Sequence, residues 1–353
     1  MDEVAFAFGR TERTVDEDRM SRFFDRLDLT WSESLDANSE QRSAFRDRLA
    51  ERYRGGTDAM LMLHVCAWEA AQWADEAIET ALRDDSDPAE FSKYYRVIRG
   101  LFARTMLAFD EVSWLLRGGY PNGAHARVRT MHELFVIASV LAKHASPGAG
   151  HPELVDMYVR HHEVFTRSVA DEIMATGVLD PEEYFDAGTL TALDAKREEL
   201  IGLYGNRFKS MCGWASPLFP DGKPISMARL SGLVTNKLNY FYGLSSSHIH
   251  GGSQGWHDNF VTRGEQTALA CGPTNLGLAV PGQLATEFLL GVLNVTIPSR
   301  ISRKGKVDDT GALFMAGIQR IADRVIEGLA SGERRVEEEE RAFQAKRQKR
   351  VDV

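Results

Sequence analysis

Arg127, Arg129, His132 and Glu133 are the first residues whose types and spacing suggest chemistry. On a helix, Arg129, His132 and Glu133 share one face, because residues three and four apart are neighbours there. Arg127 lies about 140° around the helix from His132 at roughly 3.6 residues per turn. A guanidinium fork holds phosphate, and an imidazole titrates near neutral pH. Together they suit the positioning of a phosphate ester and the movement of one proton. The same residues also admit a structural use. Arg129 and Glu133 would form an i,i+4 ion pair, Arg127 would face solvent, and His132 would fill a polar hole in a helical core.

A second cluster runs from Asn239 to Gly252 and contains Tyr240, Tyr242, Ser245, Ser246, Ser247, His248 and His250. Hydroxyls and imidazoles gather there at an expected helix end. Gly251 and Gly252 would let the backbone approach a ligand closely. The plainer use is a capped helix terminus, with serines bonding free carbonyls and a histidine facing the negative end of the dipole. His248, His250, His257 and Asp258 form a third set, of imidazole and carboxylate types that suit zinc, iron or manganese. Their spacing matches no zinc motif. His161 and His162 are adjacent on a helix, so they cannot both point into one site. No nucleophile elbow accompanies the serines. No glycine-rich phosphate loop occurs, and no cofactor is expected.

The elements that must carry these residues are helical almost throughout, since apolar residues recur at helical rather than alternating spacing. Short amphipathic helices are expected at residues 16–29 and 39–54, followed by a long helix capped by Thr57. A helix from Asp87-Pro88 should stop at Gly118-Gly119. A tight turn Tyr120-Pro121-Asn122-Gly123 should follow, then a helix over residues 124–144. Val128, Met131, Phe135, Ala138 and Leu141 mark its buried stripe. The short connection predicts an antiparallel helical hairpin. Further helices are expected at residues 152–176, 181–204, 227–246 and 275–295, and from Asp309 onward. The fold expected is all-α: an antiparallel helical bundle, with an N-terminal helical arm (1–56), a main bundle (57–331) and a charged C-terminal tail (332–353).

The chain has 353 residues, 43% hydrophobic and 26% charged, with a net charge of −9. That balance suits a large packed core and opposes a general basic coat for nucleic acid, though not a local basic pocket. Three dispersed cysteines, Cys66, Cys212 and Cys271, form no paired motif. A reducing cytoplasm is therefore the expected setting. The apolar stretch Leu276–Ile297 is broken by Pro281, Gln283 and Glu287 and is expected to be a core helix rather than a membrane span.

The segment Leu115-Leu116-Arg117-Gly118-Gly119-Tyr120-Pro121-Asn122-Gly123-Ala124, continuing to Arg127, Arg129, His132 and Glu133, resembles a bacterial family of unknown function. In that family one helix ends in L-x-R-x-G and the next opens with A-x-x-x-x-R-x-x-x-E. A later Tyr-x-x-x-Ser…His-Gly element is supplied here by Tyr240 or Tyr242, Ser245 to Ser247 and His250-Gly251. The chain is more distantly similar to HEPN-type helical ribonucleases, which carry an arginine, four to six intervening residues and a histidine near a helix start. Arg127 and His132 fit that spacing, but Val128 stands where a polar residue is usual. Ser245 with His250-Gly251 keeps the His-Gly ending without the arginine. The resemblance implies a HEPN-like core with extra helices at both ends. It also implies a homo-oligomer that binds RNA or a nucleotide, and metal-independent cleavage in a phage-defence or toxin system. Arg127, His132 and His250 would be catalytic, with Arg129, Glu133, Tyr240, Tyr242 and Ser247 around the substrate. Two other expectations stand beside it: a non-enzymatic scaffold or sensor with a structural Arg-Glu-His network, and a metal-dependent hydrolase built on His248, His250, His257 and Asp258.

Overall fold

A computed structural model describes residues 17–82, 88–176, 187–234, 243, 260–263, 266–269, 271–298, 301–303 and 306–351. Its helices are α1 (Glu17–Leu82), α2 (Pro88–Gly118), α3 (Pro121–Ala145), α4 (Glu153–Ala175), α5 (Ala187–Tyr204), α6 (Met227–Val234), α7 (Ala279–Thr296) and α8 (Thr310–Val351). Two 3₁₀ turns, at Asn206–Lys209 and Gly213–Leu218, occupy the stretch whose Trp, Pro and Gly content predicts irregular structure. Two small antiparallel hairpins are the strand content among the described residues. Strand β1 (Phe260–Arg263) pairs with β2 (Gln266–Leu269), with Phe260 opposite Leu269. Strand β3 (Ile301–Arg303) pairs with β4 (Lys306–Asp308), with Ile301 opposite Asp308. The architecture is an all-α helical bundle.

Residues 1–51 and 52–353 form two compact units. In the first, the described part is helical and its apolar side chains between Met20 and Leu35 are exposed. In the second, α7 is central and packs against α2, α3 and α8. Two glycines make notches in α7. A Cβ on Gly282 would meet Leu329 Cδ1 at 2.3 Å, and one on Gly291 would meet Phe135 Cε2 at 2.2 Å. The helix is buried on most of its surface, including Leu284, Phe288, Leu289 and Leu293. It is a core helix, as its Pro, Gln and Glu interruptions predict. No described helix is long and apolar enough to cross a membrane.

The later part of α1 and α8 form an antiparallel pair. On α1 the buried residues Tyr53, Met60, Leu63, Ala67, Ala70 and Ala74 recur at roughly helical spacing. On α8, Ile318, Ala322, Val325, Leu329 and Val336 do the same. This seam spacing matches knobs-into-holes packing. The glycines at 55 and 56 and the Thr57 cap predict a break in the chain. These residues instead lie inside α1, and the Thr57 hydroxyl donates back to the Tyr53 carbonyl at 3.2 Å. The glycines serve a close crossing. A Cβ on Gly328 would meet Gly56 N at 2.4 Å and Gly55 C at 2.6 Å. Gly328→Ala is expected to cost about 1–3 kcal/mol, the usual penalty of overpacking. Gly317→Ala, whose Cβ meets nothing within 4 Å, serves as the control. Urea denaturation that ranked the two variants equal would discard the crossing.

The expected domain limits at 56/57 and 331/332 both fall inside helices, α1 and α8. Beyond Gly332, Val336 is buried, and Glu339 meets Arg52 at 2.6 Å. The first part of the charged segment is therefore packed.

Candidate functional site

The α2–α3 hairpin positions the arginine-rich segment. Gly119 has φ of +81°, which glycine tolerates without a Cβ clash. Tyr120 N–H donates to the Leu115 carbonyl at 2.8 Å, and Gly119 N–H to the Leu116 carbonyl at 3.0 Å. These two bonds close α2 with a Schellman motif. Thr274 N–H donates to the Gly119 carbonyl at 2.8 Å and ties the corner to the segment before α7. Pro121, Asn122 and Gly123, expected as the turn, belong to the first turn of α3. Proline is suited to that position because the first helical N–H has no intrahelical partner. The turn proper is Gly119-Tyr120. Along α3, Val128, Met131, Ala138 and Leu141 are buried as the stripe predicts, while Phe135 is half-buried.

Arg127 is partly exposed and reaches across the hairpin, with Nε 3.3 Å from Glu111 Oε2 on α2. Arg129 Nε lies 3.4 Å from Glu133 Oε1, one turn along α3. The Glu133 charge also acts on Cys212. Burial first, and that carboxylate second, push the Cys212 thiol up, which disfavours its reactive thiolate. His132 points the other way. It is 1% exposed and meets Phe288 edge-on, with ring centroids 5.2 Å apart. Burial pushes its pKa down to about 4, so the ring is neutral at physiological pH. Arg129 and Glu133 thus lie together on a partly exposed face, Arg127 lies on another side of α3 against Glu111 of α2, and His132 lies within the core.

Tyr240, Tyr242, Ser247, His248, His250, His257 and Asp258 lie outside the described residues. Among the described residues, no group of three or more His, Cys, Asp or Glu side chains is arranged to hold a metal ion. His161 is buried on α4, and its Nε2 lies 3.0 Å from both the Phe208 and Ser210 carbonyls. It thereby anchors the first 3₁₀ turn. His162 is exposed and bonds the Val159 carbonyl of its own helix at 2.8 Å.

One polar node among the described residues is not signalled by periodicity. The Glu333 carboxylate on α8 accepts from the N–H groups of Gly277 at 2.5 Å, Leu278 at 3.0 Å and Ala279 at 3.1 Å. It also accepts from the Tyr53 hydroxyl at 2.9 Å. Glu333 therefore supplies, from another helix, the N-terminal cap that Leu278 cannot give to α7. Its place at the edge of a glutamate-rich run hides it in the sequence.

No curated protein and no solved structure matches the chain. Residues 95–267, a span that includes Arg127, Arg129, Glu133 and the Tyr240–His250 segment, match the sequence profile of a family of unknown function, DUF5677.

Proposed function

We propose that this chain is a helical scaffold or sensor that works as a homo-oligomer, with the Arg127–Glu133 segment as structural polar network. The observation that carries this reading is the placement of His132. A proton donor for an external substrate needs access to it. His132 is instead held neutral inside the bundle, against Phe288. Arg127 and Arg129 each face a carboxylate, so their charge is locally balanced.

A second reading is binding of RNA or a nucleotide, with metal-independent cleavage in a defence or toxin setting. It is favoured by the partial exposure of both ion pairs. Exposed pairs are weak, and a phosphate competes well for a guanidinium. In that reading Arg127 and Arg129 hold phosphate, Tyr240, Tyr242 and Ser247 support it, and His250 rather than His132 moves the proton.

One experiment separates the two. The protein is incubated with mixed RNA in chelator, beside Arg129→Ala and His250→Ala variants. The scaffold reading expects no cleavage by any of them, and at most about 1 kcal/mol of lost stability for Arg129→Ala. Cleavage by the native chain that either substitution abolishes overturns it in favour of the second reading. Stoichiometric metal in the purified protein, with cleavage lost only in chelator, would instead favour a hydrolase using His248, His250, His257 and Asp258.

A further inference from the structure

The side of α8 that faces away from the core carries one stripe whose spacing is symmetric about its own middle. Relative to Leu313, at about 100° per residue, Arg320 and Arg324 lie about 20° to either side, Gly317 about 40° and Ala316 about 60° away. Asp309, just before the first turn of α8, extends the stripe by one step of four residues. Leu313 is 70% exposed, and the other five are exposed as well. The charges therefore stand on the apolar stripe itself. About a point midway between Ala316 and Gly317, Asp309 is the counterpart of Arg324, Leu313 of Arg320, and the two small residues of each other.

The chain makes little use of these groups itself. Among the described residues, Asp309, Arg320 and Arg324 have no ion-pair partner. The carboxylate that caps α8 is that of Asp308, which accepts from the Thr310 N–H at 2.9 Å. Glu327, the next charge along the stripe, is held by Arg334 of the same helix at 2.7 Å. An exposed glycine weakens a helix relative to alanine. Gly317 has no internal reason to be one, since a Cβ there would meet nothing within 4 Å. Beside the stripe, α1 and α8 enclose a groove of about 280 Å³ lined by Cys66, Glu69, Leu313, Phe314, Gly317 and Ile321.

From this we infer that residues 309–324 of α8 form an antiparallel, two-fold contact with the same residues of a second copy of this chain. The inference rests on the homo-oligomer part of the reading above and names its surface. Antiparallel pairing brings Arg324 of the second copy to the level of Asp309. It brings Arg320 of the second copy to the level of Leu313, where Glu69 rims the groove. Leu313 of the second copy then lies over Gly317 and Ile321, at the groove's open side. A parallel pairing would set arginine beside arginine. Small residues at the axis let the two helices approach closely. The contact is isologous, so it closes at a dimer. The charges set the alignment, and the apolar groove supplies the affinity.

Sedimentation equilibrium of the full chain tests the interface. The native chain is expected to be dimeric at tens of micromolar. Leu313→Asp and Gly317→Phe are each expected to weaken dimerisation by about tenfold or more. A methyl at 317 matches the one Ala316 already presents across the axis; a phenyl does not. Arg320→Glu and Glu69→Arg each set like charges together twice across the axis and are expected to weaken it by about fivefold. The Glu69→Arg/Arg320→Glu double variant reverses both pairs and is expected to restore it. All four positions are exposed, so the single chain keeps its fold, which circular dichroism verifies. A dimer indifferent to every variant overturns this interface and leaves self-association intact. Charge variants that weaken the dimer without restoration in the double variant overturn the antiparallel alignment. A native chain that is monomeric at tens of micromolar overturns both the interface and the homo-oligomer. Binding of that monomer to anionic lipid vesicles, lost in Arg320→Glu, would put a membrane surface in place of the second copy.

Discussion

Glu333→Ala is expected to lower the stability of the bundle by about 2–4 kcal/mol, more than any exposed charge in this chain. Three consecutive backbone N–H groups at the start of α7 lose their acceptor in that variant. The hydroxyl of Tyr53, whose side chain is almost wholly buried, loses one of its two acceptors and keeps the Asn275 carbonyl. Tyr53 stays a donor at all ordinary pH values. Burial first, and the Glu333 carboxylate second, push its phenol well above the usual range. A neutral side chain cannot replace the carboxylate fully, because only an anion also answers the positive end of the α7 dipole. Glu333→Gln keeps one acceptor oxygen and is expected to lose about half as much. Tyr53→Phe removes one of four donors, a single O–H shared between the Glu333 carboxylate and the Asn275 carbonyl, each 2.9 Å away. Urea denaturation of the three variants tests the cap. A Glu333→Ala protein within about 0.5 kcal/mol of the native chain would show that water replaces the carboxylate without cost.

The second large effect is a loss of stability in mild acid through His132. The folded ring titrates near 4 and the unfolded ring near its ordinary 6.5, because only the folded ring is buried. The depressed folded value means that the native state refuses a proton the unfolded chain accepts. The contribution is intact above pH 6.5, falls as pH drops from there towards 4, and is lost below. The full loss is roughly 3 kcal/mol, at about 1.4 kcal/mol for each tenfold difference in proton affinity between the two states. The His161 pKa is also lowered by burial, so the bundle has a second, parallel source of acid sensitivity. His132→Leu keeps an apolar contact for Phe288 and removes the titration. Thermal melts between pH 7.5 and 4.5 should show a flatter decline for this variant than for the native chain. Identical declines would place the acid sensitivity elsewhere.

The helices were legible where local rules decide them. The α2–α3 hairpin follows from Gly118-Gly119, Pro121 and the stripe through Val128, Met131 and Leu141. The start of α8 near Asp309 and the core character of α7 were equally plain. The sequence misleads where tertiary contact overrides propensity. Gly55-Gly56-Thr57 looks like a break between helices, yet it lies within α1 because Gly328 needs the space. The glutamates after Gly332 look like solvated tail, yet Glu333 turns inward to cap a helix that begins at residue 279. No spacing rule links Tyr53 to a residue 280 positions later. At the candidate site, spacing correctly put Arg129 and Glu133 on one face. It also put His132 there, because three- and four-residue spacing leaves a histidine free to tilt either to the face or to the core. Which way it turns depends on Phe288, on a helix more than a hundred residues away.

The Glu333 latch also sets a timetable for the growing chain. During translation, the first N–H groups of α7 and the Tyr53 hydroxyl emerge long before the carboxylate that they need. Until residue 333 has left the ribosome, those N–H groups have only water to bond, and the apolar surface of α7 has no α8 to cover it. The bundle is thus obliged to finish folding after nearly all of these residues have been made, with its most apolar helix the one left waiting.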